Sequence, residues 1–170
     1  MALPNVFQKD VTDTIIGRIQ QLTPDTTPLW GSMSAPQMLA HCNVTYEMVY
    51  DNIHPKPNFF MKFILKSLVK NKVVTEAPYG QNGQTAPQFI ISGSRDFNKE
   101  KQRLIDFIEK TQKLGANEFE QKESHSFGKL TSNEWNNMFY KHLDHHLRQF
   151  GFKKKGEKCK HFSPFIYISV

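Results

Sequence analysis

The sequence predicts an all-α protein, a four-helix bundle with one additional short helix. Three observations predict it. Four long segments carry apolar residues at helical spacing, two of them open on capping boxes, and turn-forming residues fill long connections between them.

The first helix is expected over residues 6–22, where Val11, Ile15, Ile16, Ile19 and Leu22 recur at the helical period. The run Thr23-Pro24-Asp25-Thr26-Thr27-Pro28 ends it. The second starts at Ser34, because Ser34-Ala35-Pro36-Gln37 combines a capping box with proline in the first turn. It runs to about Tyr50 and is closed by His54-Pro55-Lys56-Pro57. Residues 59–72 form the additional helix. Lys62, Lys66 and Lys70 make a basic stripe on an otherwise apolar rod, expected to pack on the bundle with its lysines in water. The other reading is an amphipathic surface for lipid or a partner.

Residues 75–95, with Pro78, Gly80, Gly83, Pro87 and Gly93, read as a long loop, in which Phe89-Ile90-Ile91 suits a short extended piece. The third bundle helix covers residues 97–114, with Leu104, Ile105, Phe107 and Ile108 on its core face and Gly115 as its stop. The fourth begins at the capping box Thr131-Ser132-Asn133-Glu134 and runs to Phe150, with Gly151 just past its end.

Composition sets the class. A 170-residue chain with 38% hydrophobic residues is long enough for one domain with its own core. Cys42 and Cys159 form neither a disulfide framework nor a zinc-finger spacing, and the N-terminal residues lack a signal pattern, so a cytoplasmic protein is expected. No apolar stretch reaches the length of a membrane span. The net charge is +6, but residues 152–170 carry +4 of it through Lys153, Lys154, Lys155, Lys158 and Lys160 against Glu157. Basicity thus sits in a tail, expected to add little to the fold, and no recognition motif supports nucleic acid as a partner.

Histidines carry the functional argument. With Trp135 set at zero and about 100° per residue, His142 falls near −20° and His146 near +20°, in the middle of the inward face. Phe139 lies near +40°, Gln149 near −40° and His145 near −80°, at the edge. Histidines at i and i+4 place two imidazoles on one side of a helix, where a single ion accepts both. Leu143 stands where zinc peptidases of the His-Glu-x-x-His type need glutamate, which disfavours that chemistry. The pair alone suits polar residues near a helix end equally well. His41 shares a stripe with Met38, Thr45 and Met48 and also points inward. Buried imidazoles side by side are costly unless their lone pairs are satisfied. One divalent transition-metal ion on His41, His142 and His146 satisfies all three and leaves a position open.

The stretches Leu29-Trp30-Gly31 and Gln37-Met38-Leu39-Ala40-His41-Cys42-Asn43 resemble the first-ligand helix of a DinB-like family whose members were named as uncharacterised. Ser124-His125-Ser126-Phe127-Gly128-Lys129-Leu130-Thr131, Glu134-Trp135 and the run from Lys141 to Gly151 resemble its closing signature. The resemblance covers about residues 4–151 and implies a DinB-like bundle domain at 1–151, followed by the basic tail at 152–170. It implies nickel or zinc on His41, His142 and His146, with His145 as a reserve ligand or a support for one and His125 in a structural hydrogen bond. Homodimers are common among such proteins. The implied chemistry is metal-dependent: transfer to a low-molecular-weight thiol, or hydrolysis of a small-molecule substrate, with a non-catalytic stress-response module as the other class. No general base stands out. Glu47 and Asp144 read as solvated or supporting groups, and Cys42 as a small core residue.

Overall fold

The protein, seen in a computed structural model that describes residues 2–153, is mostly helical with one small hairpin. Val6 and Phe7 are buried but precede the first helix. The Val6 amide donates to the Asn136 side chain at 2.7 Å and the Phe7 amide to the Asn5 side chain at 3.0 Å. Those bonds hold the chain in a turn, and α1 therefore begins three residues later than its apolar period suggests, at Lys9–Gln20.

Helix α2 spans Ala35–Tyr50 and opens on the capping box read from the sequence. The Gln37 amide donates to Ser34 Oγ, and the Ser34 amide donates to Gln37 Oε1 at 3.0 Å. From Met38 to Glu47 every residue of α2 is buried, so this helix is wrapped on all sides.

Residues 59–74 follow as one nearly continuous rod, α3 (Phe59–Ile64), a π-helical turn (Leu65–Val69) and α4 (Lys70–Val74). A 3-10 turn at Pro87–Phe89 interrupts the long loop, so the expected extended piece begins only after Phe89, at Ile90. Helix α5 runs over Phe97–Phe119, with the Asp96 side chain accepting from the Lys99 amide at its start. Gly115 takes a left-handed φ of 74° and breaks the regular geometry there, but the chain resumes helical turns to Phe119 instead of stopping. Strands β1 (Lys122–Ser124) and β2 (Gly128–Leu130) then pair antiparallel, with Ser124 opposite Gly128. The sequence reading had no strand here, because each is three residues long and too short to show a period. Helix α6, Ser132–Gln149, opens on its own capping box between Thr131 and Glu134.

The four long helices α1, α2, α5 and α6 pack against one another. Ile15 and Ile19 of α1, Met38 and Leu39 of α2, and Leu104 and Ile108 of α5 meet Phe139, Leu143 and Leu147 of α6 in the core. An aromatic file crosses it: Phe119 packs edge-on against Trp135 and Phe139, and Tyr46 stacks on both Phe139 and Phe107. Arg18 ties α1 to the far end of α6, donating to Asp144 at 2.7 Å and to the Phe152 carbonyl at 2.6 Å. Asp144 also accepts from Arg148, so it is a paired structural anion, not a solvated group. Phe152 packs on the core although the sequence reading placed it in the tail; residues 154–170 of that tail lie outside the described residues. Among the described residues no helix is long and apolar enough to cross a membrane.

Helix α4 has its orphan carbonyls capped from α6. The buried Lys141 ammonium donates to the Lys72 carbonyl at 2.8 Å and the Thr75 carbonyl at 2.6 Å, and Asn137 donates to the Val74 carbonyl at 2.9 Å. A cation on a helix C-terminus meets its partial negative charge. Burial nonetheless lowers the Lys141 pKa to about 8. Replacing Lys141 with Met removes two charge-assisted bonds to part-buried carbonyls, at a cost of about 1–3 kcal/mol. The expected outcome is a lower melting temperature together with faster tryptic cleavage at Lys70 and Lys72; unchanged cleavage would separate Lys141 from the anchoring of this segment.

Candidate metal centre

Helices α2 and α6 bring His41, His142 and His146 together. One ring nitrogen of each lies within 4.8 Å of the others, an arrangement that can hold a metal ion. Ring centroids stand 4.5 Å apart for His41–His146, 4.8 Å for His142–His146 and 5.0 Å for His41–His142. His41 and His146 are buried and His142 is half-buried.

What each Nδ1 meets decides which nitrogen carries a lone pair. His41 Nδ1 lies 2.8 Å from the Phe89 carbonyl, which only accepts, so Nδ1 holds the hydrogen and Nε2 the lone pair. His146 Nδ1 lies 2.8 Å from Gln149 Oε1. That amide is oriented by its own NH2 group, which donates to the Trp30 carbonyl at 2.7 Å, so His146 too presents a bare Nε2. His142 differs. Its Nδ1 faces the Thr45 hydroxyl at 2.9 Å, a group that both donates and accepts. His142 Nε2 faces His41 Nε2 at 3.0 Å. Without an ion, His142 Nε2–H donates to His41 while the Thr45 hydroxyl donates to Nδ1. With the hydrogen on Nδ1 instead, His41 and His142 turn bare Nε2 atoms toward each other, and a ring nitrogen of His146 lies within 4.8 Å of the others.

These donors fit a divalent transition metal. Nitrogens about 2.0–2.1 Å from one ion stand about 2.9 Å apart at a right angle and about 3.4 Å apart at the tetrahedral angle, a range that includes the 3.0 Å between His41 and His142. The rings are also held neutral, the form that binds metal. Burial lowers the His142 pKa far below the ordinary value, helped by the neighbouring histidines. Burial, reinforced by His41, takes His146 to about 3 against the opposing bond from Gln149. Burial likewise lowers His41, with the Phe89 carbonyl opposing.

Two other histidines serve elsewhere. His145 packs edge-on between Trp30 and Tyr79, at ring distances of 5.9 and 5.7 Å, and is not among the converging donors. His125 bonds Ser126 Oγ at 2.9 Å and the His54 carbonyl at 3.3 Å, fastening the hairpin to the chain ahead of α3. Cys42 is a fully buried core thiol whose pKa burial pushes up, the opposite of a nucleophile. Glu47 is not solvated: it lies buried and paired with both Arg103 and His54. It borders a cleft of about 310 Å³ shared with Ala40, Val44, Ile90 and Arg95, which the three histidines do not line.

The supports Thr45, Phe89 and Gln149 were not picked out from the sequence. Thr45, on the inward stripe of His41, and Gln149, near the inward face of α6, carried a hint. The placement of Gln149 depends on Gly31: a Cβ there would stand 2.6 Å from Gln149 Nε2, and the backbone holds a φ of +78°. Only glycine suits both demands.

The site and fold define a helical protein with a three-histidine cluster. The chain belongs to the family described as "Protein of unknown function (DUF1569)", which matches residues 5–153. No curated protein matches the chain, and no solved structure does.

Two outcomes follow. The folded pKa values lie below the unfolded value of 6.5 for His41, His142 and His146. The unfolded chain therefore binds more protons below pH 6.5, and stability present above that pH is lost as it falls, for His146 down to about 3. In metal-free protein the loss is about 1.4 kcal/mol per pH unit per histidine. Denaturant melts at stepped pH measure it, and His146→Leu makes the slope shallower. Gly31→Ala costs about 1–3 kcal/mol through its left-handed backbone and displaces the Gln149 amide; an unchanged melt would deny the backbone strain.

Proposed function

We propose that the chain is a DinB-like four-helix-bundle metalloprotein whose domain ends near residue 151. On this reading His41, His142 and His146 hold one nickel or zinc ion through Nε2, and the protein is a metal-dependent enzyme acting on a small molecule. The observation that carries the proposal is that Nδ1 of every ring already has a partner, while Nε2 of His41 and His142 face each other and a ring nitrogen of His146 lies within 4.8 Å of the others. Helix packing alone gives no reason for three buried imidazoles to share that arrangement.

An ion of this kind supplies Lewis acidity, which makes water or a small thiol easier to deprotonate at neutral pH. The protein's own residues do the rest. Phe89 packs its ring on His41 and His142 and excludes water from one side, while its carbonyl orients His41. Trp30 and Tyr79, on His145, add an aromatic wall beside His146. Resemblance favours thiol S-transfer over hydrolysis, since the residues around the cluster include no obvious base.

One observation favours a second reading, a non-catalytic metal module: two of the three imidazoles are buried, and the cleft of about 310 Å³ beside Glu47 is not lined by them. Cobalt separates the readings. Protein purified without a nickel column is stripped and loaded with Co²⁺, and its visible spectrum is followed while a small thiol is added. An open position gives a thiolate-to-metal band; an unchanged spectrum favours the non-catalytic module.

Metal uptake tests the site itself. Calorimetry on stripped wild-type protein is expected to give one ion per chain. His142→Ala abolishes it without unfolding α6, since alanine is the better helix former. Gln149→Leu weakens it about 10–100-fold by freeing His146 to turn. Equal uptake by wild type and His142→Ala refutes the proposal.

A further inference from the structure

Residues 59–74 bury Val74 and half-bury Ile64, Leu65, Val69 and Val73, but leave several of their largest apolar side chains outside. A helix of this composition ordinarily buries its apolar face and leaves its lysines in water. Here Lys62 reaches Glu123 at 2.6 Å and Lys70 reaches Glu134 at 2.7 Å, both half-buried against the body of the protein. Those outer apolar side chains face solvent: Phe59 is 89% exposed, Phe60 70%, Phe63 64% and Leu68 67%. At about 100° per residue, Phe59, Phe60 and Phe63 fall within one arc of about 100°. Three solvent-facing phenylalanines on one helical turn are more than scattered surface hydrophobics.

The segment's own charge is positive. From residue 52 to residue 75 the chain carries five lysines and no carboxylate. Lys56, Lys62 and Lys129 all lie near enough to Glu123 to stabilise its charge, so one carboxylate faces three cations there. Lys66, exposed, stands one helical turn beyond Lys62. Aromatic rings flanked by lysines are what an anionic bilayer surface receives, with rings among the acyl-chain boundary and ammonium groups at the phosphates. A second copy fits less well, because a two-fold pairing sets this basic rim against itself.

We propose that residues 59–74 form a docking face for anionic lipid membranes, on which the protein lies peripherally. Cosedimentation of the full chain with vesicles tests it, using phosphatidylcholine alone and an equal mixture with phosphatidylglycerol. The mixed vesicles are expected to bind about tenfold or more tightly than the neutral ones, and raised salt to reverse the difference. Phe60→Ser/Phe63→Ser is expected to lower binding about tenfold or more, and Lys66→Glu about tenfold on mixed vesicles only. These side chains are exposed, so far-UV spectra and melting temperatures of both variants should match wild type. No preference for anionic vesicles, or equal binding by the variants, overturns the proposal. Two further results also overturn it: vesicle-free sedimentation showing a dimer that Phe60→Ser/Phe63→Ser dissociates, or capture of a single-stranded oligonucleotide in place of vesicles.

Discussion

Three neutral imidazoles buried between α2 and α6 impose the constraint on which the site depends. A buried imidazole leaves one nitrogen in need of an acceptor and the other in need of a donor or an ion. Phe89 and Gln149 meet the first need with groups that only accept, and Thr45 with one that does either. Each support comes from a different part of the chain. The 3-10 turn exists where the Phe89 carbonyl must reach His41, and the left-handed glycine at 31 exists where the Gln149 amide must pass. Irregular backbone is concentrated around the most regular part of the molecule.

Much of the helical layout was legible in the sequence. The boxes at Ser34 and Thr131 place two helix starts to the residue, because capping is a local interaction between neighbours. The inward stripe of Trp135, Phe139, His142 and His146 follows from helical period alone. What depends on distant partners was not legible. The start of α1 is set by Asn136, 130 residues away, and the tautomer of His41 by Phe89, 48 residues away. Gly115 reads as a stop because composition does not say that the chain resumes after a break.

The rod over residues 59–74 is the clearest case of tertiary override. Its pattern is plainly amphipathic, and pattern alone assigns the lysines to water. Glu123 and Glu134, contributed by the hairpin and by α6, draw Lys62 and Lys70 inward, while Lys141 and Asn137 fix the end of α4. Ion pairs and capped carbonyls thus act beside the burial of Val74 and Val73 in setting the orientation of this rod.

The Thr45 hydroxyl has a consequence for proton stoichiometry. Cysteine-based sites release protons when an ion enters, because thiols must ionise first. Here the rings are already neutral at pH 7, and the hydrogen that leaves His142 Nε2 can reappear on Nδ1 as Thr45 turns from donor to acceptor. On the proposed reading, the three rings themselves therefore exchange no net proton with solvent on loading between pH 7 and 8. Any proton released in that interval then comes from water or a thiol on the ion, not from a ligand ring. A threonine, not a base, keeps the ligand rings indifferent to small changes in the acidity around them.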